Sequence, residues 1–117
     1  MNEEMFKHRT KGFALAAIGL VGRLPKNRTT DVIGGQLLRS ATSVGANYRA
    51  ACRGKSTADI IAKLSIVEEE ADESIYWMEL LIESGMMNKQ DIQNIMTEAN
   101  EILAMTVASI KTLKKRK

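Results

Sequence analysis

Apolar residues in this chain recur at three- and four-residue intervals, and the breaks in that rhythm divide it into four segments. The first runs from about residue 3 to 23. At about 100° per residue, Phe6, Phe13, Ala17, Leu20, Val21 and Leu24 gather on one side, with Lys7 and Lys11 outside it. Leu24-Pro25-Lys26-Asn27-Arg28 then interrupts the pattern, because proline removes a backbone donor and disfavours helix at the preceding residue.

The second segment spans about 30 to 53, with Thr29 or Thr30 as cap and Asp31 in the first turn. Its core line is Leu37, Ala41, Val44, Tyr48 and Ala51/Cys52. Gly34, Gly35 and Gly45 each weaken a helix by up to about 1 kcal/mol relative to alanine, so they are expected where another backbone comes close. Gly54 stops this segment, and Ser56 or Thr57 caps a third over 57 to 84, whose seam is Ile60, Leu64, Val67, Ala71, Ile75 (or Ser74), Met78 and Ile82. The fourth, over 89 to 114, places Ile92, Ile95, Met96, Ala99, Ile102, Leu103, Thr106, Val107, Ile110 and Leu113 on one side. Four amphipathic helices on short loops predict an all-α, antiparallel up-down-up-down four-helix bundle, one domain over residues 1–117.

The third helix carries more apolar surface than a bundle core needs. With Ile60 at zero, Ile66 and Trp77 project at about 250°, with Glu70 and Glu73 between them and Ala62 and Leu80 flanking. Two readings stay open: a subunit interface, which is favoured, or a tryptophan lying over the bundle edge beneath the first helix or a loop. On the second helix Ser40, Ser43 and Asn47 form a small polar ridge, with Arg39, Arg49 and Arg53 on its outer side. Contacts from Arg39 and Asn47 to Glu70 and Glu73 are expected to tie the bundle, within or between subunits. The alternative is separately solvated charges.

Charge is segregated along the chain. Residues 1–56 carry ten Lys/Arg against three Asp/Glu, residues 57–110 two against eleven, and residues 111–117 five against none, for +7, −9 and +5. Lys26 and Arg28 in the first loop, Arg49 and Arg53 on the second helix, and Lys111, Lys114, Lys115, Arg116 and Lys117 at the end are the candidates for contacting RNA or DNA phosphates. There is no aromatic-basic interleaving or recognition helix to reinforce them. The terminal lysines also suit the negative end of a helix dipole.

Catalytic chemistry finds little support. His8 is the sole histidine, which excludes histidine pairs and the paired Glu-x-x-His ligands of di-iron bundles. Glu68, Glu69, Glu70, Asp72 and Glu73 occupy near-consecutive helical positions and diverge, so they cannot converge on one metal. Cys52 reads as an apolar filler. Neither an enzyme, a cofactor nor a metal is expected. A lone cysteine and an apolar run, Phe13 to Gly22, too short for the roughly 20 residues of a membrane span and preceded by Glu3 and Glu4, lead to an expectation of a cytoplasmic protein.

The run Gln36-Leu37-Leu38-Arg39-Ser40-Ala41-Thr42-Ser43-Val44-Gly45-Ala46-Asn47, followed by Lys63-Leu64-Ser65-Ile66, Glu70, Glu73 and Tyr76-Trp77, resembles the 23S rRNA-intervening-sequence protein family, also called the four helix bundle protein family. The likeness covers essentially the whole chain. It implies an antiparallel bundle that assembles into a ring-like homopentamer. More distantly similar are accessory proteins of diversity-generating retroelements, whose basic pentameric surface serves nucleic acid and a reverse transcriptase. One departure stands out: the glutamate that the family pattern brings shortly after Asn47 is missing from Tyr48-Arg49-Ala50-Ala51. The expectation is a non-enzymatic homo-oligomeric scaffold, with RNA or DNA as candidate partners; the alternative is a purely structural or protein-binding adaptor.

Overall fold

The computed structural model describes residues 2–116, and Lys117 therefore lies outside the described residues. Four helices follow one another as α1 (Glu3–Gly22), α2 (Arg28–Cys52), α3 (Thr57–Glu83) and α4 (Lys89–Lys115). They form an all-α four-helix bundle about 47 Å long and 20 Å across. Contacts between helices set the directions. Phe6 near the start of α1 meets Tyr48 near the end of α2, ring centroids 4.6 Å apart, and Arg9 of α1 reaches Glu98 of α4. Sequence neighbours are antiparallel, so α2 and α4 end together beside the start of α1.

Local chemistry explains the boundaries. Asn2 accepts a hydrogen bond from the Met5 amide at 3.0 Å and opens α1. The expected Thr29 or Thr30 cap of α2 is displaced: Asn27 takes that place, and the helix begins at Arg28. Asn27 Oδ1 accepts from the Thr30 amide at 2.9 Å, and Thr30 Oγ1 accepts from the Asn27 amide at 3.2 Å. Asparagine, with extended backbone just past proline, is the stronger cap, and Thr30 becomes the buried return arm of a capping box. Ser56, one of the two expected caps for α3, accepts from the Asp59 amide at 3.0 Å, and Asp59 accepts in return from the Lys55 amide at 3.1 Å.

The core is one continuous cluster led by Phe6, Phe13 and Leu20 of α1, Leu37 and Val44 of α2, Val67, Met78 and Leu81 of α3, and Ile92 and Ile102 of α4. Two details differ from the expected seams. Leu81, not Ile82, closes the α3 seam, and Ile60 is only half-buried at its start. Two of the three α2 glycines do mark close approach: a Cβ at Gly34 would meet Leu24 Cδ1 at 3.0 Å, and one at Gly45 would meet Thr10 Oγ1 at 3.3 Å. Gly35 is different, for it faces open space.

Contacts are most extensive between α2 and α3 and least between α1 and α4. Among the described residues no buried side-chain nitrogen or oxygen lacks a hydrogen-bond partner. Nor is any helix among them long and apolar enough to cross a membrane.

Candidate functional site

The outer edges of α2 and α3 meet along one lateral face, and most of the residues singled out on the two helices converge there. On α3, Ile66, Glu70, Glu73 and Trp77 follow at intervals of four, three and four, which holds them on one stripe. Opposite them Arg39 of α2 donates to Glu70 at 3.0 Å through Nη1 and to Glu73 through Nη2. Its Nε donates to Gln36 Oε1 at 3.1 Å. The Trp77 indole N–H donates to Glu73 at 3.0 Å, and the Tyr76 ring stands edge-on to the indole at 5.1 Å.

The expected tie between Arg39 and the two glutamates is therefore formed within a single chain. Asn47 takes no part in it. Its Nδ2 donates to the Ser43 carbonyl at 2.9 Å and to Ser43 Oγ at 2.7 Å, acceptors one turn back on its own helix. Ser40, expected in a ridge beside the core line, goes deeper: it is fully buried and faces Ser74 of α3, which donates to it at 2.9 Å. Ser40 in turn donates to the Leu37 carbonyl at 3.2 Å. Two small hydroxyl residues here let the helices approach closely while each hydroxyl keeps a partner.

Apolar side chains remain exposed on this face beside Arg39, whose own side chain is 49% exposed. Ile66 is 37% exposed and Tyr76 52%, while Val32, two turns before Arg39 on the same stripe of α2, is 59% exposed. Trp77 is half-buried, its ring packed against the core and its nitrogen held by Glu73. Sequence periodicity alone did not pick out Val32 or Tyr76; the i, i+7 register of Val32 with Arg39 and the adjacency of Tyr76 to Trp77 were the available signals.

The basic candidates separate into two groups. Arg49 and Arg53 at the end of α2, and Lys111, Lys114, Lys115 and Arg116 at the end of α4, share one end of the bundle. Lys26 and Arg28 lie at the opposite end, roughly 30 Å away at 1.5 Å per residue along α2. A charged contact outside both groups bridges α1 and α4: Arg9 donates to Glu98 at 3.0 and 2.6 Å and to Glu101 at 2.9 Å. Its hydrogen bonds to Glu98, then to Glu101, hold its guanidinium pKa above the ordinary range. The spacing of Arg9 on α1 did not reveal it, because its partners come from the far end of the chain.

Burial pushes the Cys52 thiol up, so at neutral pH it stays protonated beside Tyr48. Among the described residues no three His, Cys, Asp or Glu side chains are arranged to hold a metal ion.

A four-helix bundle with one aromatic, ion-paired lateral face and one basic end defines the class of protein. The profile of the 23S rRNA-intervening sequence protein family matches residues 5–108, and the chain belongs to that family. It is also similar to a crystallised protein of unknown function of the S23 ribosomal protein family from Bacteroides thetaiotaomicron VPI-5482. The two are 35% identical over 95% of this chain and 99% of the other, with a TM-score of 0.87. No curated protein matches the chain.

Proposed function

We propose that this protein is a non-enzymatic, self-assembling helical scaffold whose α2–α3 face docks against another copy. The observation carrying this reading is the exposed apolar set Val32, Ile66 and Tyr76 around Arg39, Glu70, Glu73 and the half-buried Trp77. A monomer gains nothing from leaving that surface wet, and aromatic residues with arginine are typical of interface centres. Because the ion pairs are already formed within the chain, docking would bury no unpaired charge. A ring of five copies, as the family resemblance implies, follows if the face meets a different surface of its neighbour so that the rotation closes.

Light scattering tests this directly. A mass near five times 12.9 kDa is expected for the native chain, and a monomer for Ile66→Asp/Tyr76→Asp, whose exposed sites leave the fold intact. A native monomer at micromolar concentration would sink the proposal.

A second reading adds nucleic acid as a partner, in the cytoplasm. It is favoured by the gathering of Arg49, Arg53 and the α4 lysines at one end, which a scaffold alone does not need. Repeated around a symmetric ring, weak phosphate contacts would multiply. The check is salt-dependent binding of RNA or duplex DNA by the native protein; silence at low salt leaves the structural scaffold alone.

A further inference from the structure

A groove of about 540 Å³ runs between α1 and α2 on the side away from α3 and toward the basic end. Its walls carry Lys7, His8 and Lys11 from α1 and Arg49 from α2. Its floor is made of Ala14, Gly45 and Ala46, where Gly45 lies tight against Thr10. Long cationic side chains thus rise around a low bed.

The charges differ in how far they are satisfied. Lys7 is held by Glu3 at 3.5 Å and by Glu4, which itself lines the groove, at 3.6 Å. Among the described residues Lys11 and Arg49 form no ion pair, and both are exposed. Lys7 and Lys11 stand one turn apart, about 6 Å along the axis, of the order of the step between phosphates in an extended strand. Arg53 follows Arg49 by one turn along α2, at the same end of the bundle as the α4 lysines.

We infer that this α1–α2 groove is the seat of a nucleic-acid phosphodiester backbone, held by Lys11 and Arg49 with Lys7 and His8 beside them. The inference rests on the nucleic-acid reading above and gives it a location. It also singles out three α1 residues, Lys7, His8 and Lys11, that lie outside the basic clusters already described. Phosphates need only charge and access, whereas a protein partner needs large apolar side chains, and the groove is lined by none, its apolar surface coming from alanines, threonines and the stems of its charged residues. Such a site holds the backbone without reading bases, so affinity should be sequence-tolerant.

The test measures fluorescence anisotropy of a short single-stranded RNA and of a short DNA duplex across a salt series. The double variant Lys11→Glu/Arg49→Glu is expected to bind at least about tenfold more weakly and to flatten the log–log salt slope by about 1 to 2. Lys26→Glu/Arg28→Glu, the same charge change at the opposite end, is expected to stay within about twofold of native. The two probes separate RNA from DNA as the source of the phosphates.

Equal loss in both variants would overturn the groove while leaving nucleic-acid binding in place, since net charge alone would then explain it. No binding by the native protein at low salt would overturn both. Displacement of the RNA by polyglutamate at equal charge concentration would reject phosphodiester in favour of an acidic protein. A changed oligomeric mass in the groove variant would make the groove a subunit contact and reject the inference as well. Circular dichroism confirms that both variants are folded.

Discussion

The α2–α3 seam and the α1–α4 seam join helices of similar length by different means. Between α2 and α3 the helices approach closely over small residues, the Ser40–Ser74 hydroxyl pair is sealed inside, and Leu37, Ala41, Val67 and Ala71 are wholly excluded from water. Between α1 and α4 the contact is the thinnest in the bundle, with an indentation of about 350 Å³ lined by Gly12, Phe13, Ala16 and Ile95. That seam is held instead by the Arg9 fork on Glu98 and Glu101. Apolar burial makes a seam rigid and costly to open, whereas a partly exposed ion pair orients two helices for a modest gain. The tightly sealed seam is also the one that carries the aromatic outer face. A rigid base suits a docking surface, because little ordering is left to be done on association.

The contrast should be largest in core truncations. Leu37→Ala, at a site with no exposure, is expected to cost about 3 kcal/mol, while Ile95→Ala, half-buried beside the α1–α4 indentation, should cost less than about 2 kcal/mol. Urea denaturation at equal m-values measures both, and comparable losses would abolish the distinction.

Next comes the buried hydroxyl pair. Ser74→Ala should cost about 1 kcal/mol, and the double variant Ser40→Ala/Ser74→Ala less than the sum of the two single ones, since each partner's loss is then compensated by removal of the other. Strict additivity would show that the two hydroxyls do not interact.

The smallest effect belongs to the ion pair. Arg9→Ala is expected to lower global stability by about 1 kcal/mol or less. It should raise amide hydrogen exchange in α1 and in the facing half of α4 well before α2 and α3 respond. Uniform acceleration across all four helices would mean that the bundle opens as one unit.

Much of the fold was legible along the chain. Helices with three- and four-residue apolar periods, punctuated by Pro25, Gly54 and Gly85, can bury their stripes only by packing on one another. The Arg39–Glu70–Glu73 tie was legible as well, because i, i+4 and i+7 spacing puts Ile66, Glu70 and Glu73 on one stripe whatever packs against it, whereas the burial of Trp77 stayed open. Asn27 as cap was missed because Thr29, Thr30 and Asn27 are all competent caps, and only the path of the chain after proline chooses among them. The depth of Ser40, expected only beside the core line, was open for a related reason. Its helical angle lies at the margin of the core stripe, and a margin becomes interior or surface according to how closely the neighbour approaches.

The chain by itself determined the helices, their antiparallel order and the amphipathic stripes, because these follow from local spacing and short connections. Beyond the Arg39–Glu70–Glu73 tie, tertiary structure alone decided which charges meet. Arg9 and Glu98 are far apart in sequence yet form a fork, Lys26 and Arg49 share a helical hairpin yet sit at opposite ends, and Lys11 joins Arg49 in one groove. The physical reason is range: periodicity fixes a side chain's direction within its own helix, whereas a charge acts on whatever the packed bundle brings within a few ångströms of it.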